Sequence, residues 1–308
     1  MNKKILIAMM LLSGFFLQAA EMISTENLNI RDPFIITDRE NNRYLLYKSN
    51  GHGVDVYISQ DLKTWQDRKT VFTPDEKIAK YHDFWAPEVH EYQGKYYLFI
   101  TLSPKGGCRG TWCFRSDSPM GPFLRFSEKP LTPEDWFALD GTLWVDRDGK
   151  PYMVFCHEWV QITTSTICAV PLADDLSKTI GEPFLLFSSE EAPWSVPSKE
   201  RKSRVTDGPW LHRMQDGSLI MLWSTFDAKG YVTGIARSSD GTLRGKWTQI
   251  PKTLFDRNGG HPMIFRTLTG TLTVLLHSPN SPGGKERLTM IPVQEKDGIL
   301  VLTDTVKN

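Results

Sequence analysis

The chain has 308 residues, of which 40% are hydrophobic and 11% aromatic, so it is long enough to bury a sizeable core. Its 36 basic and 36 acidic residues cancel, and this balance excludes the strong positive field that recruits nucleic acid or anionic lipid. Neither a nucleic acid nor a membrane is therefore expected as a partner of the mature chain.

The first twenty residues have the layout of a secretory signal peptide. Lys3 and Lys4 precede an apolar run over residues 5–17, and the small residues Ala19 and Ala20 follow it. The run is short for a membrane span, and the stop-transfer pattern of a retained anchor, the alternative, is absent. We expect residues 1–20 to be removed and residues 21–308 to form one domain, monomeric and periplasmic or secreted.

One short phrase occurs five times along the rest of the chain and runs each time into an apolar, strand-like segment. The first residues of the five phrases lie 54, 54, 67 and 54 positions apart. Such a period is typical of radial all-β arrays and not of helical solenoids. The phrases are Asp32–Ile35, Ala86–Val89, Asp140–Leu143, Asp207–Trp210 and His261–Ile264.

Each phrase is followed by a tight turn and a second apolar run. Turns such as residues 148–149 and 216–217 carry Asp-Gly, which β-hairpins favour, and runs such as residues 152–155 are rich in strand formers. Third runs and polar segments bring the total to about four strands per repeat, and no long helical period occurs. The sequence therefore predicts an all-β fold, a five-bladed β-propeller.

The first strand of every propeller blade lines the central channel, so the residues that open the phrases should meet there. Asp32, Asp140, Asp207 and His261 are expected to form one small polar site, and converging carboxylates suggest catalysis. Most of the ten tryptophans should fill the wedges between blades. Four lie close to the phrase openings and could instead form platforms for sugar rings: Trp85, Trp144, Trp194 and Trp210.

The four cysteines fall into two local pairs, Cys108 with Cys113 and Cys156 with Cys168. An exported protein permits disulfide bonds if the strand geometry suits them, and the sequence leaves paired and free cysteines equally open. Their spacing does not match that of a zinc site.

Four segments together resemble glycoside hydrolase family 43, and they span nearly the whole mature chain in order. They are Arg31–Phe34, Phe84–Glu88, Leu139–Leu143 with residues 146–150 after it, and Asp207–Pro209. The resemblance implies a five-bladed propeller that hydrolyses arabinofuranosides, arabinans, xylosides or galactosides with inversion of configuration.

The resemblance also implies roles for the carboxylates. Asp32 matches the general base of the family, and Asp140 matches a third carboxylate that raises the pKa of the acid and orients it. The family carries its general acid in Glu-Gly-Pro, where this chain has Asp207, which is one methylene shorter. Either Asp207 is the acid, or Glu191 replaces it from the 13 extra residues before the fourth phrase, or neither residue is the acid.

Further residues are expected to contact substrate: Trp85, Glu88, His157, Trp210, His261 and Arg287. In the family, a histidine at the position of His261 faces the channel, often near a cation or water, and an arginine that Arg287 resembles grips substrate hydroxyls. His261 is thus a weak candidate for a metal ligand of a structural cation, and no cofactor is required for the reaction. A channel histidine without metal and a surface arginine are the alternatives.

Three functions fit these residues. The first is an inverting glycosidase that acts on an oligo- or polysaccharide, and the second is a carbohydrate-binding propeller with little or no turnover. The third, a retaining enzyme of the fructan type, is disfavoured because no segment like Trp-Met-Asn-Asp-Pro is present. The sugar, its linkage and the choice between exo and endo cleavage stay open.

Overall fold

The structure, a computed structural model, describes residues 22–303 except Arg201. The predicted signal peptide lies outside the described residues. Within them, 21 strands form five antiparallel sheets. The helices of this region are all too short or too polar to cross a membrane.

Each sheet is one blade, built from strands that are consecutive in the chain. Blade one contains β1 Met22–Ser24, β2 Phe34–Asp38, β3 Arg43–Ser49, β4 Val54–Ser59 and β5 Thr64–Phe72. Blade two contains β6 His82–Tyr92, β7 Lys95–Ser103, β8 Gly110–Ser116 and β9 Leu124–Arg125. Blade three contains β10 Ala138–Val145, β11 Pro151–His157, β12 Thr166–Pro171 and β13 Phe184–Ser188.

Blade four contains β14 Asp207–Arg213, β15 Leu219–Phe226, β16 Tyr231–Ser238 and β17 Trp247–Gln249, and blade five contains β18 Gly260–Arg266, β19 Leu272–Ser278, β20 Arg287–Lys296 and β21 Ile299–Leu302. The helical segments are α1 Trp159–Ile162 and two 3₁₀ turns, Thr25–Asn27 and Ser189–Glu191. The prediction of an all-β, five-bladed propeller is confirmed. The innermost strands β2, β6, β10, β14 and β18 contact one another in this order around a closed ring.

The hydrophobic core lies in the wedges between neighbouring blades. Phe72 of blade one packs on Phe114 of blade two with ring centroids 4.3 Å apart, and Phe187 of blade three packs on Trp223 of blade four at 5.3 Å. Trp65 and Trp223 are fully buried. Large aromatic side chains fill the wedges because adjacent sheets splay apart with distance from the channel.

The four cysteines are free thiols, so the option of two disulfide bonds is wrong. Cys156 of β11 lies opposite Ile167, whereas Cys168 of β12 lies opposite Phe155. This offset of one residue directs the two thiols to opposite faces of blade three, since successive side chains of a strand alternate between faces. Each thiol packs in a different wedge.

The ring is closed where residues 22–31 meet blade five. Asn29 Nδ2 donates to the carbonyl oxygens of Gly284 at 3.0 Å and Glu286 at 3.1 Å. Arg287 Nε donates to the carbonyl oxygen of Glu26 at 3.1 Å. The guanidinium of Arg287, predicted to grip substrate, thus holds the beginning of the propeller against its last blade.

Candidate active site

The five repeated phrases share one backbone feature, a residue in the left-handed region of φ. These residues are Asp32 (φ 49°), Ala86 (46°), Asp140 (57°), Gly208 (52°) and His261 (55°). Aspartate, histidine and glycine enter this region more readily than most residues, so Ala86 is the exception. In blades two to five the strand register shifts at this point, and such bulges redirect side chains.

Blade four departs from the predicted register by one residue. The sequence spacing aligns Asp207 with Asp32, but the left-handed residue of blade four is Gly208. Asp207 therefore occupies the position that Trp85 has in blade two and Leu139 has in blade three. Both of those residues line the same cavity as Asp207. Asp32 is itself the left-handed residue of blade one, whereas Asp207 enters the cavity from the residue before the left-handed residue of blade four.

A cavity of about 470 Å³ lies where the inner strands begin, and every blade contributes to its wall. Blade one contributes Asp32, blade two Trp85, blade three Asp140, blade four Asp207 and blade five His261. The structure therefore brings together the four polar residues that open the phrases, as the sequence predicts.

Asp32 is surrounded by three basic side chains. Its Oδ1 lies 3.2 Å from His261 Nδ1 and 3.4 Å from His277 Nδ1, and its Oδ2 lies 3.8 Å from Arg31 Nε. Burial alone would raise the pKa of Asp32, but the charges of His261 and Arg31 outweigh it, so the pKa is lowered. Asp32 is held ionised and can accept a proton.

Asp140 connects blade three to blade four. Its Oδ2 accepts a hydrogen bond from the backbone N–H of Gly208 at 3.0 Å and lies 3.7 Å from His261 Nδ1. Burial raises the pKa of Asp140 to about 8, opposed by His261 and reinforced by the charges of Asp207 and Asp32. The contact with Gly208 fixes the backbone directly beside Asp207.

Asp207 is held by a tyrosine. The hydroxyl of Tyr231 donates to Asp207 Oδ2 at 2.8 Å. Burial raises the pKa of Asp207, although the hydrogen bond from Tyr231 and the charges of His261 and Arg31 act in the opposite direction. Asp207 therefore keeps a proton more readily than Asp32, as Asp140 does, so the cavity holds a carboxylate that can take a proton and carboxyls that can give one.

His261 lies between two carboxylates, Asp32 and Asp140. Burial alone would lower its pKa, but these two charges outweigh it and the pKa of His261 is raised. Among residues 22–303 without Arg201, no group of three or more His, Cys, Asp or Glu side chains is arranged to hold a metal ion.

The family model for glycosyl hydrolases family 43 matches residues 25–298. The chain belongs to glycosyl hydrolase family 43. Among solved structures, an endo-arabinase from Bacteroides thetaiotaomicron is similar at 43% identity with a TM-score of 0.85, covering 90% of this chain and 98% of that one.

Two curated relatives match this family 43 chain over shorter stretches. One is an extracellular exo-α-(1→5)-L-arabinofuranosidase of Cellvibrio japonicus, 25% identical over 44% of this chain and 42% of its own length. The other is an extracellular endo-α-(1→5)-L-arabinanase of Bacillus subtilis, 26% identical over 35% and 36%. The chain thus spans about two fifths of the length of these two curated relatives.

The predicted aromatic platforms separate into one cavity residue and three packing residues. Trp85 lines the cavity of the family 43 chain and is 41% exposed. Trp210 stacks on His90 with ring centroids 5.9 Å apart inside the propeller, Trp194 packs on Trp223, and Trp144 lies under a guanidinium. Of these four tryptophans, Trp85 is the one that lines the cavity.

Two other predicted contacts lie behind the cavity wall. Glu88 is buried and pairs with His90 Nε2 at 2.7 Å. His157 stacks on Trp136 with centroids 4.1 Å apart, and its Nε2 lies 2.8 Å from Gln161 Oε1. The side chain of His157 thus positions the segment that begins α1 and does not line the cavity.

Glu191, the alternative acid, lies outside the cavity. Its Oε1 accepts the backbone N–H of Ser188 at 2.8 Å in a capping box at the 3₁₀ turn Ser189–Glu191. The side chain is exposed. A carboxylate in this capping interaction stabilises its own turn.

Sequence reasoning misses several residues of the site. Arg109 and Tyr231 line the cavity, and His277 is fully buried beside Asp32. Arg31 is adjacent to Asp32, which opens the first phrase. The other three come from second and third strands or from a loop, where no repeated phrase marks them. Glu158 also lines the cavity, and the sequence does indicate it weakly, because the segment from His157 to Trp159 follows the second strand of blade three.

Proposed function

We propose that the protein is an inverting glycoside hydrolase that cleaves α-L-arabinofuranosyl linkages in arabinan and its oligosaccharides. Membership of family 43 supports hydrolysis of glycosidic bonds. The similarity to an endo-arabinase over 98% of that chain supports arabinan as the substrate class. The two curated relatives named for α-(1→5)-arabinan linkages point in the same direction.

The observation that carries the proposal is that the surroundings shift the pKa values of two carboxyls in one cavity in opposite directions. The pKa of Asp32 is lowered by the charges of His261 and Arg31 against the effect of burial. The pKa of Asp207 is raised by burial. Pairs of titratable groups whose surroundings push their pKa values apart identify the base and the acid of a site.

In the proposed reaction, Asp32 removes a proton from a water molecule as its oxygen attacks the anomeric carbon. Asp207 gives its proton to the glycosidic oxygen as the bond from the anomeric carbon breaks. Inversion needs room for this water, with the two carboxyls about 6.5–9.5 Å apart. Asp32 and Asp207 belong to blades one and four, which are not neighbours in the ring, and this supports such a gap.

Two residues support the pair without touching the reacting atoms. His261 carries positive charge beside Asp32 and favours its ionised form. Asp140 holds the backbone N–H of Gly208, which orients the neighbouring Asp207.

A second cavity of about 300 Å³ supports cleavage within a polysaccharide chain. Arg31 lines both cavities, and the second is otherwise formed by the connection from blade three to blade four, which includes Lys199, and by residues of blades four and five that include Lys229 and Asn280. A substrate could therefore extend past Asp32 on two sides. We infer endo cleavage from this arrangement, and export to the periplasm or the medium from the predicted signal peptide.

Hydrolysis of a defined panel tests the proposal. Linear α-1,5-arabinan should yield a mixture of oligosaccharides, and NMR of the first product should show the inverted β-anomer. Aryl xylosides and galactosides should be cleaved far more slowly. Xyloside cleavage without arabinan cleavage would overturn the substrate class, and binding of arabinan without turnover would favour the carbohydrate-binding alternative.

Asp32→Asn is the matching variant. It should reduce arabinan hydrolysis at least 100-fold and leave arabino-oligosaccharide binding nearly unchanged, because the amide keeps the shape but cannot accept the proton of the water. Activity within about tenfold of the wild type would contradict the assignment of the base.

A further inference from the structure

The catalytic cavity contains an ion pair that the proposed mechanism does not use. Arg109 NH1 donates to Glu158 Oε1 at 2.8 Å and to Glu158 Oε2 at 3.0 Å. Both residues line the cavity. The side chain of Glu158 is only 4% exposed and that of Arg109 is 19% exposed, so the pair is largely removed from bulk water.

The pair lies in the part of the cavity that blades two and three form. Arg109 precedes β8 of blade two, and Glu158 follows β11 of blade three. Asp32 and Asp207 are on blades one and four. The pair therefore occupies the arc between the predicted base and the predicted acid, on the side away from blade five.

An aromatic surface completes this part of the cavity. The guanidinium of Arg109 lies over the ring of Trp85, 4.8 Å from its centroid. The same Trp85 is 41% exposed although it is a large hydrophobic residue in a well-packed fold. A flat exposed ring beside fixed polar groups is the combination that ligand sites use, with apolar contact for affinity and a few polar groups for orientation.

The pair also has unused hydrogen-bonding capacity. Arg109 Nε is buried without a hydrogen-bond partner among the described residues, and the carboxylate of Asp83 lies 3.7 Å from it. One guanidinium nitrogen serves both oxygens of Glu158, so each oxygen keeps a lone pair. Burial raises the pKa of Glu158 to about 7, although Arg109 opposes this. A buried pair of this kind is costly unless further hydrogen bonds satisfy it.

We propose that Arg109 and Glu158 bind the hydroxyl groups of one arabinofuranosyl unit of the substrate whose ring packs on Trp85. This inference rests on the proposed function. Glu158 accepts hydrogen bonds from two sugar hydroxyls, Arg109 keeps the carboxylate in place and donates to a sugar oxygen, and Trp85 covers the apolar face of the ring. The pair selects furanosyl units by hydroxyl position and takes no part in proton transfer.

The chain contains a matched ion pair outside the cavity. Arg213 NH2 contacts Asp146 Oδ1 at 3.1 Å, and the guanidinium of Arg213 lies 5.2 Å from the centroid of Trp144. The chemistry is the same, an arginine over a tryptophan with a carboxylate partner, but neither residue lines the catalytic cavity. Asp146→Asn is therefore the control for Glu158→Gln.

The test measures binding of α-1,5-arabinotetraose by calorimetry in the Asp32→Asn protein. Adding Glu158→Gln should weaken binding by about 10- to 100-fold, the range expected for hydrogen bonds to a charged group. Adding Asp146→Asn should change it less than twofold. In the active enzyme, Glu158→Gln should raise KM for arabinotetraose and leave the dependence of aryl arabinofuranoside cleavage on phenol pKa unchanged.

Three outcomes would overturn the inference. One is unchanged binding with Glu158→Gln, and another is an equal loss with Asp146→Asn. The third is a steeper dependence on phenol pKa with Glu158→Gln, which would make Glu158 a proton donor. If Glu158→Gln does not fold, the same binding measurement is made with Arg109→Lys. Failure of the proposed function differs from all three, because wild-type enzyme would then cleave no arabino-oligosaccharide.

Discussion

Asp207 is one methylene shorter than the glutamate that the family carries in Glu-Gly-Pro, and Tyr231 is the side chain that holds it. The hydroxyl of Tyr231 donates to Asp207 Oδ2 at 2.8 Å, so in the proposed reaction Oδ1 would carry the proton. The ring of Tyr231 is buried and stacks on His277, which itself contacts Asp32. A short acid on a rigid support can keep a fixed position, and fixed position determines much of the rate of proton transfer.

Asp207→Ala should slow the cleavage of arabino-oligosaccharides by 100-fold or more and that of activated aryl arabinofuranosides much less. A poor leaving group needs the proton, whereas a stabilised phenolate departs without it. The measurement is kcat/KM over a series of phenol leaving groups.

Glu191→Ala is the control for this series. It removes a carboxylate that caps a surface turn, so we expect a loss of about 1 kcal/mol of stability at most and a wild-type leaving-group dependence. A steep dependence in Glu191→Ala and a shallow one in Asp207→Ala would exchange the two roles.

At the scale of elements, the inner strands are built around the left-handed residue that each phrase contains. At Gly208 the space is tight, since a Cβ there would lie 2.8 Å from His261 Cα. The chain of blade four passes so close to blade five that only glycine fits, and this contact brings Asp207 beside the channel.

Gly208→Ala should therefore destabilise the protein by roughly 2–5 kcal/mol, from the left-handed backbone of alanine and from the clash with His261. Gly149→Ala, also at positive φ but with no atom within 4 Å of the new Cβ, should cost about 1 kcal/mol from the backbone alone. Urea unfolding of both variants measures the difference. Equal losses would show that the contact with His261 is not tight.

The repeated phrases were sufficient to predict the blades, because each opens an apolar inner strand and a hairpin turn follows it. They were not sufficient for the register of blade four, since the sequence does not show which residue of Asp207-Gly208 has positive φ. The pairing of Cys156 and Cys168 depended on a strand offset of one residue. Glu158 and Arg109 meet only through the packing of two blades, so no local pattern could indicate the pair.

At the scale of the whole molecule, folding buries a neutral histidine, His277, beside Asp32. His277 Nδ1 accepts the backbone N–H of Asp32 at 3.3 Å, and Nε2 lies 3.2 Å from Asn280 Oδ1. Burial lowers the pKa of His277 to about 4, with Arg31 and His261 acting in the same direction and Asp32 opposing them. The unfolded chain binds this proton at its ordinary pKa of about 6.5.

Between pH 6.5 and 4 the unfolded state holds more protons at this residue than the folded state does, so stability falls as the pH falls. By this effect, His277 lowers the free energy of unfolding by about 3 kcal/mol once the pH is below 4. His277→Gln should make the free energy of unfolding less dependent on pH in this window, and His52→Gln, at an exposed histidine, should not. An unchanged pH dependence in His277→Gln would refute the burial of a neutral ring.

Closure of the ring must precede activity, because it brings the partners of Asp32 together. The hydrogen bonds of Asn29 and Arg287 join residues 257 and 261 positions apart, and Asp32 stands beside this junction with its histidine partners on blade five. Contacts of such separation form late, because the intervening chain must first be ordered. During synthesis, four blades emerge before His261 and His277 exist to meet Asp32. The predicted base is thus assembled by the last blade to leave the ribosome, and hydrolysis would report completion of the whole ring.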